Sequence, residues 1–323
     1  MPQFSHSRVC GTMDDVAHAE SAEQLASTGE VTRVAAETPF GILVRTLADG
    51  GAVVLSGAGL STESGIPDYR GPSARARPAT PMTYQAFTGS TAARQRYWAR
   101  SHLGWRHITG ASPNAGHQAV AALEGAGLVT AIITQNVDGL HQAAGADAVT
   151  ELHGSLHWVT CLGCGQRTSR ASLDDRLRAA NPSWAPSGTM LAPGLEGTGP
   201  AVKPDGDVAL DSTDGFIIVD CLACGGVLKP DVVFFGESVP RPRVDECFSR
   251  VGAASSLIVL GSSLTVFSGF RYVRYAVKLG IPVVIVNQGP TRGDPLASVR
   301  LEAPLGDTLT AAVASLGAVA GAF

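Results

Sequence analysis

The chain has no long apolar run. Its continuous stretches, such as those at 257–260 and 281–286, fall far short of the roughly 20 residues a membrane helix needs. The Ala-rich tail at 309–323 is also too short to span and is expected as a packed or frayed helix. Net charge is scarce as well: 24 Lys and Arg against 28 Asp and Glu leave −4. Without a basic field, binding to nucleic acid is not expected. The first 36 residues lack the apolar segment of a secretory signal, and Asp14, Asp15, Glu20, Glu23 and Glu30 argue against an acid-poor transit peptide. The expectation is a cytoplasmic protein with no membrane partner, by default a monomer. Residues 1–38 show little apolar periodicity and read as a mobile extension, with the core beginning near Pro39. At 323 residues the chain suits one large domain, or a large one with a smaller insert.

What is present begins with four short runs rich in Val and Ile, each ending in small or polar residues. The run at 52–56 leads into Gly57-Ala58-Gly59-Leu60-Ser61-Thr62-Glu63-Ser64-Gly65-Ile66-Pro67-Asp68-Tyr69-Arg70. The run at 128–133 ends in Thr134-Gln135-Asn136-Val137-Asp138, that at 257–260 in Gly261-Ser262-Ser263, and that at 283–286 in Asn287-Gln288-Gly289. Runs of this kind read as strands of a parallel sheet buried on both faces. Such sheets bind ligands in the crevice beyond their carboxyl ends. The fold class is therefore α/β, with the site among those four loops.

Four of the six cysteines form two Cys-x-x-Cys knuckles, Cys161 with Cys164 and Cys221 with Cys224. Each is followed by glycine (Gly165; Gly225 and Gly226), which permits the tight turn that aims both thiolates at one point. Four sulfur ligands suit a tetrahedral zinc with no open position, a structural role. A redox dithiol or a pair of disulfides is the alternative. Cys10 reads as an incidental thiol and Cys247 as a small buried hydrophobe. Between the knuckles, 173–178 reads as a helix, and 181–200, crowded with Pro, Gly and Ser, as a flexible loop.

Gly57-Ala58-Gly59 after a strand resembles the start of a dinucleotide fingerprint, in which bare backbone and a helix N-terminus meet a pyrophosphate. Thr62 stands where the third glycine would be, and a structural turn accounts for two glycines equally well. The polar set Ser61, Thr62, Glu63, Ser64, Asp68, Tyr69 and Arg70 favours a site. Asn136 and Asp138 present an amide and a carboxylate to one ligand, or cap a turn.

Taken together, these motifs with His153-Gly154-Ser155, Phe235-Gly236-Glu237, Gly261-Ser262-Ser263-Leu264 and Val286-Asn287 resemble, in order from about 40 to 310, the sirtuin family of NAD-dependent protein deacylases. The stretches at 94–100 (Arg-Gln-Arg-Tyr-Trp-Ala-Arg), 229–237 and 289–292 are similar to the class II branch, which includes the mitochondrial sirtuin four. The resemblance implies a Rossmann-like parallel sheet over 39–153 and 230–323, with a helical insert at about 66–115, and a smaller zinc-binding lobe over 154–229. It implies NAD as co-substrate, one structural zinc, and acylated-lysine proteins or peptides as partners. The products would be nicotinamide, O-acyl-ADP-ribose and free lysine.

The same resemblance implies residue roles. His153 would take a proton from the ribose hydroxyls, a task for an imidazole of pKa near 6.5; from the residues alone His141 and His157 remain rivals. Gly57, Ala58, Gly59 and Arg70 would border the phosphates and ribose, with Asp68 and Tyr69 on the cofactor loop. Gln135 would hold the ribose. Asn136, Val137 and Asp138, with Ile66 beside them, would form the nicotinamide pocket, Asn136 taking part in the chemistry. Gly261, Ser262, Ser263, Asn287, Gln288, Gly289 and Leu305 would hold the adenosine side. The peptide would lie as an added strand near Phe235, Gly236 and Glu237. Tyr97 and Arg100 repeat a Tyr-x-x-Arg spacing that grips acidic acyl groups in a related sirtuin class, so they are expected to favour such groups; a solvated helix face is the plainer reading of Arg100. Protein ADP-ribosyl transfer from the same NAD site and a non-enzymatic NAD-sensing module are the alternative functions.

Overall fold

A computed structural model describes residues 38–69, 81–184, 210 and 212–320. All but the last residue of the expected 1–38 extension, Arg70 and all but the first residues of the 181–200 loop lie outside the described residues. Nine strands are described: β1 (Ala52–Ser56), β2 (Val129–Thr134), β3 (Val149–Glu151), β4 (Gly154–Cys161), β5 (Arg167–Ser169), β6 (Leu228–Val232), β7 (Ser256–Leu260), β8 (Val283–Val286) and β9 (Val299–Leu301). The helices are α1 (Pro39–Ala48), α2 (Tyr84–Gly89), α3 (Thr91–Gly110), α4 (Ala115–Gly125), α5 (Leu140–Ala143), α6 (Arg170–Ala180), α7 (Arg241–Gly252), α8 (Phe267–Lys278) and α9 (Leu305–Ala320).

Six strands form one parallel sheet in the order β3-β2-β1-β7-β8-β9. The chain runs outward from β1 on one side and then returns to β1 from the other. Adjacent crossovers therefore leave in opposite directions at the β1–β7 pair, which opens a crevice at the carboxyl ends of those strands. The four apolar runs are the four strands β1, β2, β7 and β8, displaced by no more than one residue. Every residue of β1, β7 and β8 is buried because helices cover both faces. Val54, Ile132, Ile258 and Val284 meet Leu43, Leu123 and Leu309 of α1, α4 and α9. Val53, Leu55, Val259 and Ile285 meet Val251 and Val273 of α7 and α8. The Ala-rich tail is thus a packed helix, with Leu309, Ala312 and Leu316 on its buried side.

A second, antiparallel sheet, β5-β4-β6, carries the cysteine knuckles. It packs with α3 and α6 around Trp98, Leu156, Leu173, Leu177, Leu228 and Phe234. Helix α6 is longer than the 173–178 stretch that suggested it. Ser169 caps its start by accepting the Ser172 N–H at 3.1 Å. Its buried Asp174 bonds His102 Nδ1 of α3 at 2.7 Å and Arg178 at 2.9 Å. Burial alone would raise the Asp174 carboxyl, but the His102 hydrogen bond and the Arg170 charge outweigh it and hold the group well below the usual carboxylate range. Among the described residues no helix is long and apolar enough to cross a membrane.

Among the described residues, which here run to Tyr69, the glycine loop continues into two single 3-10 turns, Ala58–Leu60 and Thr62–Ser64. Gly65 then turns left-handed at φ 80° and Pro67 cannot continue a helix, so the segment is cut before an α-turn can propagate.

Candidate active site

The loops after β1, β2, β7 and β8 surround a cleft of about 1530 Å³. Gly57, Ala58, Gly59, Ile66, Asp68, Tyr69, Gln135, Asn136, Val137, Asp138, His153, Phe235, Gly236, Glu237, Gly261, Ser262, Ser263, Asn287, Gln288, Gly289 and Leu305 all line it. Residues from four separate strand ends and three further segments are thereby brought to one surface, as the crevice rule requires.

The glycines owe their identity to backbone contact between strand ends. Gly59 donates its N–H to the Gly261 carbonyl at 2.8 Å, and a Cβ on Gly59 would fall 2.8 Å from that oxygen. The structural reading of this pair therefore holds alongside its position on the cleft wall. Close approach of the two loops sets the floor between β1 and β7.

The polar floor is a closed network. The Ser61 hydroxyl donates to Asp138 Oδ2 at 2.7 Å and accepts from Asn136 Nδ2 at 2.9 Å. Asn136 Nδ2 also donates to the Gly57 carbonyl at 3.1 Å, so its amide nitrogen is committed and its Oδ1 is the atom left for a ligand. Asp138 Oδ1 accepts the Leu140 N–H at 2.9 Å; the capping reading and the pocket position are both true of it. Beneath lie His117 and His141, with ring centroids 5.1 Å apart. Burial lowers His117 to about 4, offset in part by Asp138, and lowers His141 to about 3, helped by His117. Both are neutral rings. His141 bonds Ser56 at 2.8 Å and does not line the cleft; nor does His157, whose Nε2 meets the Asp138 carbonyl at 3.2 Å.

His153 is the histidine on the cleft wall. Its Nδ1 lies 2.9 Å from the Gln135 carbonyl oxygen, which can only accept, so Nδ1 carries the proton and the neutral ring leaves Nε2 bare. The Ser268 hydroxyl, 2.7 Å away, donates to that nitrogen. Burial holds His153 down to about 4, with the Gln135 hydrogen bond opposing and the charges of Arg243 and Arg271 adding to it. An unprotonated acceptor is therefore present throughout the neutral range. Gln135, from the end of β2, also fastens this corner by donating from Nε2 to Ser262 Oγ at 2.8 Å.

The opposite wall is apolar. Phe235, 41% exposed, meets Tyr69 edge-on at 6.3 Å between centroids, and Val233, Val266 and Phe267 continue the surface. The Phe235 and Gly236 carbonyls accept from Tyr84 N and Gln85 Nε2. The Glu237 carboxylate turns to Lys229 at 3.0 Å and to the Phe234 N–H at 2.8 Å. Tyr97 and Arg100 are not brought there. The Tyr97 ring is enclosed by Phe87, Trp98 and Phe234, one side-chain layer behind the wall.

The roles of three residues at the site were not legible from the local sequence. Ser268 reaches His153 across 115 positions. Glu63 accepts the Gly306 N–H at 3.1 Å, at the start of α9. Leu264, after the β7 loop, is the non-glycine residue held at positive φ, 55°.

The four knuckle sulfurs lie within 4.8 Å of one another, with Cys161 and Cys224 at 3.5 Å and Cys164 and Cys221 at 3.8 Å. Four thiolates at zinc–sulfur bond lengths stand roughly 3.8 Å apart, so the set fits zinc, whereas a disulfide needs about 2.05 Å. Gly165 and Gly225, both left-handed, close the two turns as expected, at φ 73° and 67°. Cys247 is fully buried.

A doubly covered parallel sheet, a nucleotide-sized cleft at its topological switch point, a neutral histidine on the wall and a zinc-knuckle lobe define a nucleotide-using enzyme of Rossmann type. The Sir2 family model matches residues 57–268, and the chain belongs to that family. It is 56% identical over 270 residues to NAD-dependent protein deacetylase 1 of Streptomyces coelicolor, covering 83% of this chain and 87% of that one. It is 53% identical over 267 residues to NAD-dependent protein deacetylase 1 of Mycobacterium avium, covering 83% and 91%. Among solved structures it is similar to a Sir2 complex with a p53 peptide and NAD+, at a TM-score of 0.65 and 28% identity over 87% of this chain and 98% of that one. A structure described as bearing on the mechanism and regulation of Sir2 enzymes matches at a TM-score of 0.67 and 29% identity, over 87% and 98%.

Proposed function

We propose that this chain is an NAD-dependent protein lysine deacylase in which His153 is the general base. The observation that carries the reading is a neutral His153 with a proton-free Nε2 in the lining of a cleft with a polar floor on one side and an apolar wall on the other. NAD, when bound, supplies a ribose carbon that accepts the acyl oxygen as nicotinamide leaves, and ribose hydroxyls that then need a base.

Each part of the site has a task in that scheme. The backbone of Gly57–Gly59 and the hydroxyls of Ser262 and Ser263 receive the nucleotide, with Asn287, Gln288, Gly289 and Leu305 on the adenosine side. Asn136, held by Gly57 and Ser61, offers Oδ1 in the nicotinamide pocket beside Ile66, Val137 and Asp138. Tyr69, Phe235, Val266 and Phe267 exclude water around the acyl-lysine, while the backbone near Phe235 and Gly236 receives the peptide as an added strand. His153 Nε2 has a single lone pair, which Ser268 occupies. A ribose hydroxyl must displace Ser268 before its proton can move to the ring.

The test is nicotinamide release from NAD with an acetyl-lysine peptide. Wild-type protein is expected to release nicotinamide and free the lysine in equal amounts. His153→Ala is expected to lower kcat by at least about a hundredfold, the lower range for a lost general base. Undiminished turnover by that variant would remove the base assignment.

A further inference from the structure

The described residues lining the cleft include four carboxylates, Glu63, Asp68, Asp138 and Glu237, and a single guanidinium, that of Arg271. Three of the carboxylates have their chemistry accounted for: Glu63 at the start of α9, Asp138 in the Ser61 network and Glu237 against Lys229. Arg271 is different. It lies on α8 three residues beyond Ser268, and its guanidinium sits over the Phe267 ring, 5.6 Å from the centroid. Its Nε is shielded from solvent yet meets no acceptor. Among the described residues no carboxylate is paired with it. Arg243 of α7, which turns toward the Leu152 carbonyl at 3.5 Å, is the other positive charge that acts with Arg271 on His153. A donor withdrawn from water at a cleft wall without an acceptor is a group whose partner arrives with a ligand. A guanidinium matches a carboxylate in shape and charge.

The position on the cleft selects which ligand. The glycine loop after β1 and the serines after β7 form the nucleotide-receiving floor, whereas Arg271 stands with Phe267 and Ser268 on the α8 side of His153. We propose that Arg271 recognises a carboxylate carried by the acylated substrate, either at the end of the acyl chain or on a side chain flanking the modified lysine. This rests on the deacylase reading. It moves the seat of any acidic-acyl preference from Arg100, outside the cleft, to Arg271 on its wall.

Wild type, Arg271→Gln and Arg271→Lys are to be compared on three peptides: acetyl-lysine with neutral flanks, acetyl-lysine with glutamate flanks, and glutaryl-lysine with neutral flanks. The readout is kcat/KM for nicotinamide release, with the KM for NAD measured on the neutral peptide and thermal melting as the folding control. Arg271→Gln is expected to lower the ratio of a carboxylate-bearing to the neutral peptide at least tenfold, and Arg271→Lys to retain part of it. The peptide whose ratio falls identifies the source of the carboxylate. Unchanged ratios for both acidic peptides would overturn the inference, as would an equal loss on all three with a raised KM for NAD, the sign of a phosphate contact. Wild type inert on every peptide would sink the deacylase reading and this inference with it.

Discussion

Ser268 and Gln135 hold the His153 ring from its two ends. The carbonyl of Gln135 fixes the proton on Nδ1, and the Ser268 hydroxyl donates to Nε2, a bond possible only while that nitrogen is unprotonated. Ser268 thus favours the neutral ring and adds to the effect of burial. The acid limb of kcat/KM is accordingly expected well below 6.5, toward the value near 4 at which burial holds the free enzyme's ring. Ser268→Ala removes a hydrogen bond worth roughly 1 kcal/mol net, so that limb should move up by about half to one pH unit, while Ser268→Thr, which keeps the hydroxyl, should leave it near its original place. A limb that stays put in the alanine variant would mean that Ser268 only fills space. The local sequence around Ser268 shows a small polar residue near a helix start and nothing more. Its partner lies 115 positions away, and no periodicity records such a meeting.

The elements differ in how far they can be read in advance. β1, β7 and β8 were legible because burial on both faces demands continuous Val, Ile and Leu, and short runs of that composition between turn residues seldom arise in any other setting. The knuckles were legible because Cys-x-x-Cys followed by glycine brings two thiolates together within one turn. What spacing alone does not establish is that the two knuckles meet. That is the work of β4 and β6, which pair antiparallel from Thr160–Lys229 to Cys161–Leu228 and carry both turns to one end of the lobe. Zinc binding is then part of folding free energy. Cys161→Ser is expected to lose zinc and to give a separate or earlier melting transition for the small lobe; full zinc content with one unchanged cooperative melt would contradict this.

At the scale of the whole molecule, the β1–β7 crevice collects side chains whose pKa values only the assembled fold can set. His117 and His141 are 0% and 1% exposed. Burial lowers both, to about 4 and about 3. The unfolded chain takes up these protons near 6.5 and the folded one does not until pH falls much further. In the window below 6.5 the unfolded state therefore binds more protons, and stability falls as pH falls. It is fully present above 6.5 and diminishes by up to ~1.4 kcal/mol per pH unit for each ring. Urea denaturation at pH 7, 6 and 5 should show the midpoint dropping in that order, above the range where carboxylates titrate. A flat profile over those three values would mean that the two rings are hydrated in solution.

The sequence by itself determined the parallel sheet, the zinc knuckles and the set of loops that meet at the cleft, because burial period and ligand spacing act over a few neighbouring residues and leave a direct trace in the order of amino acids. Only the tertiary structure decided which histidine lines the cleft with a proton-free nitrogen, that Ser268 covers it, that the Tyr97 ring stands behind the wall, that Arg100 is not among the lining residues, and that Arg271 is. Those outcomes depend on how faces of distant elements are turned toward one another. That relation is set by packing of the whole core, and no short stretch of sequence carries it.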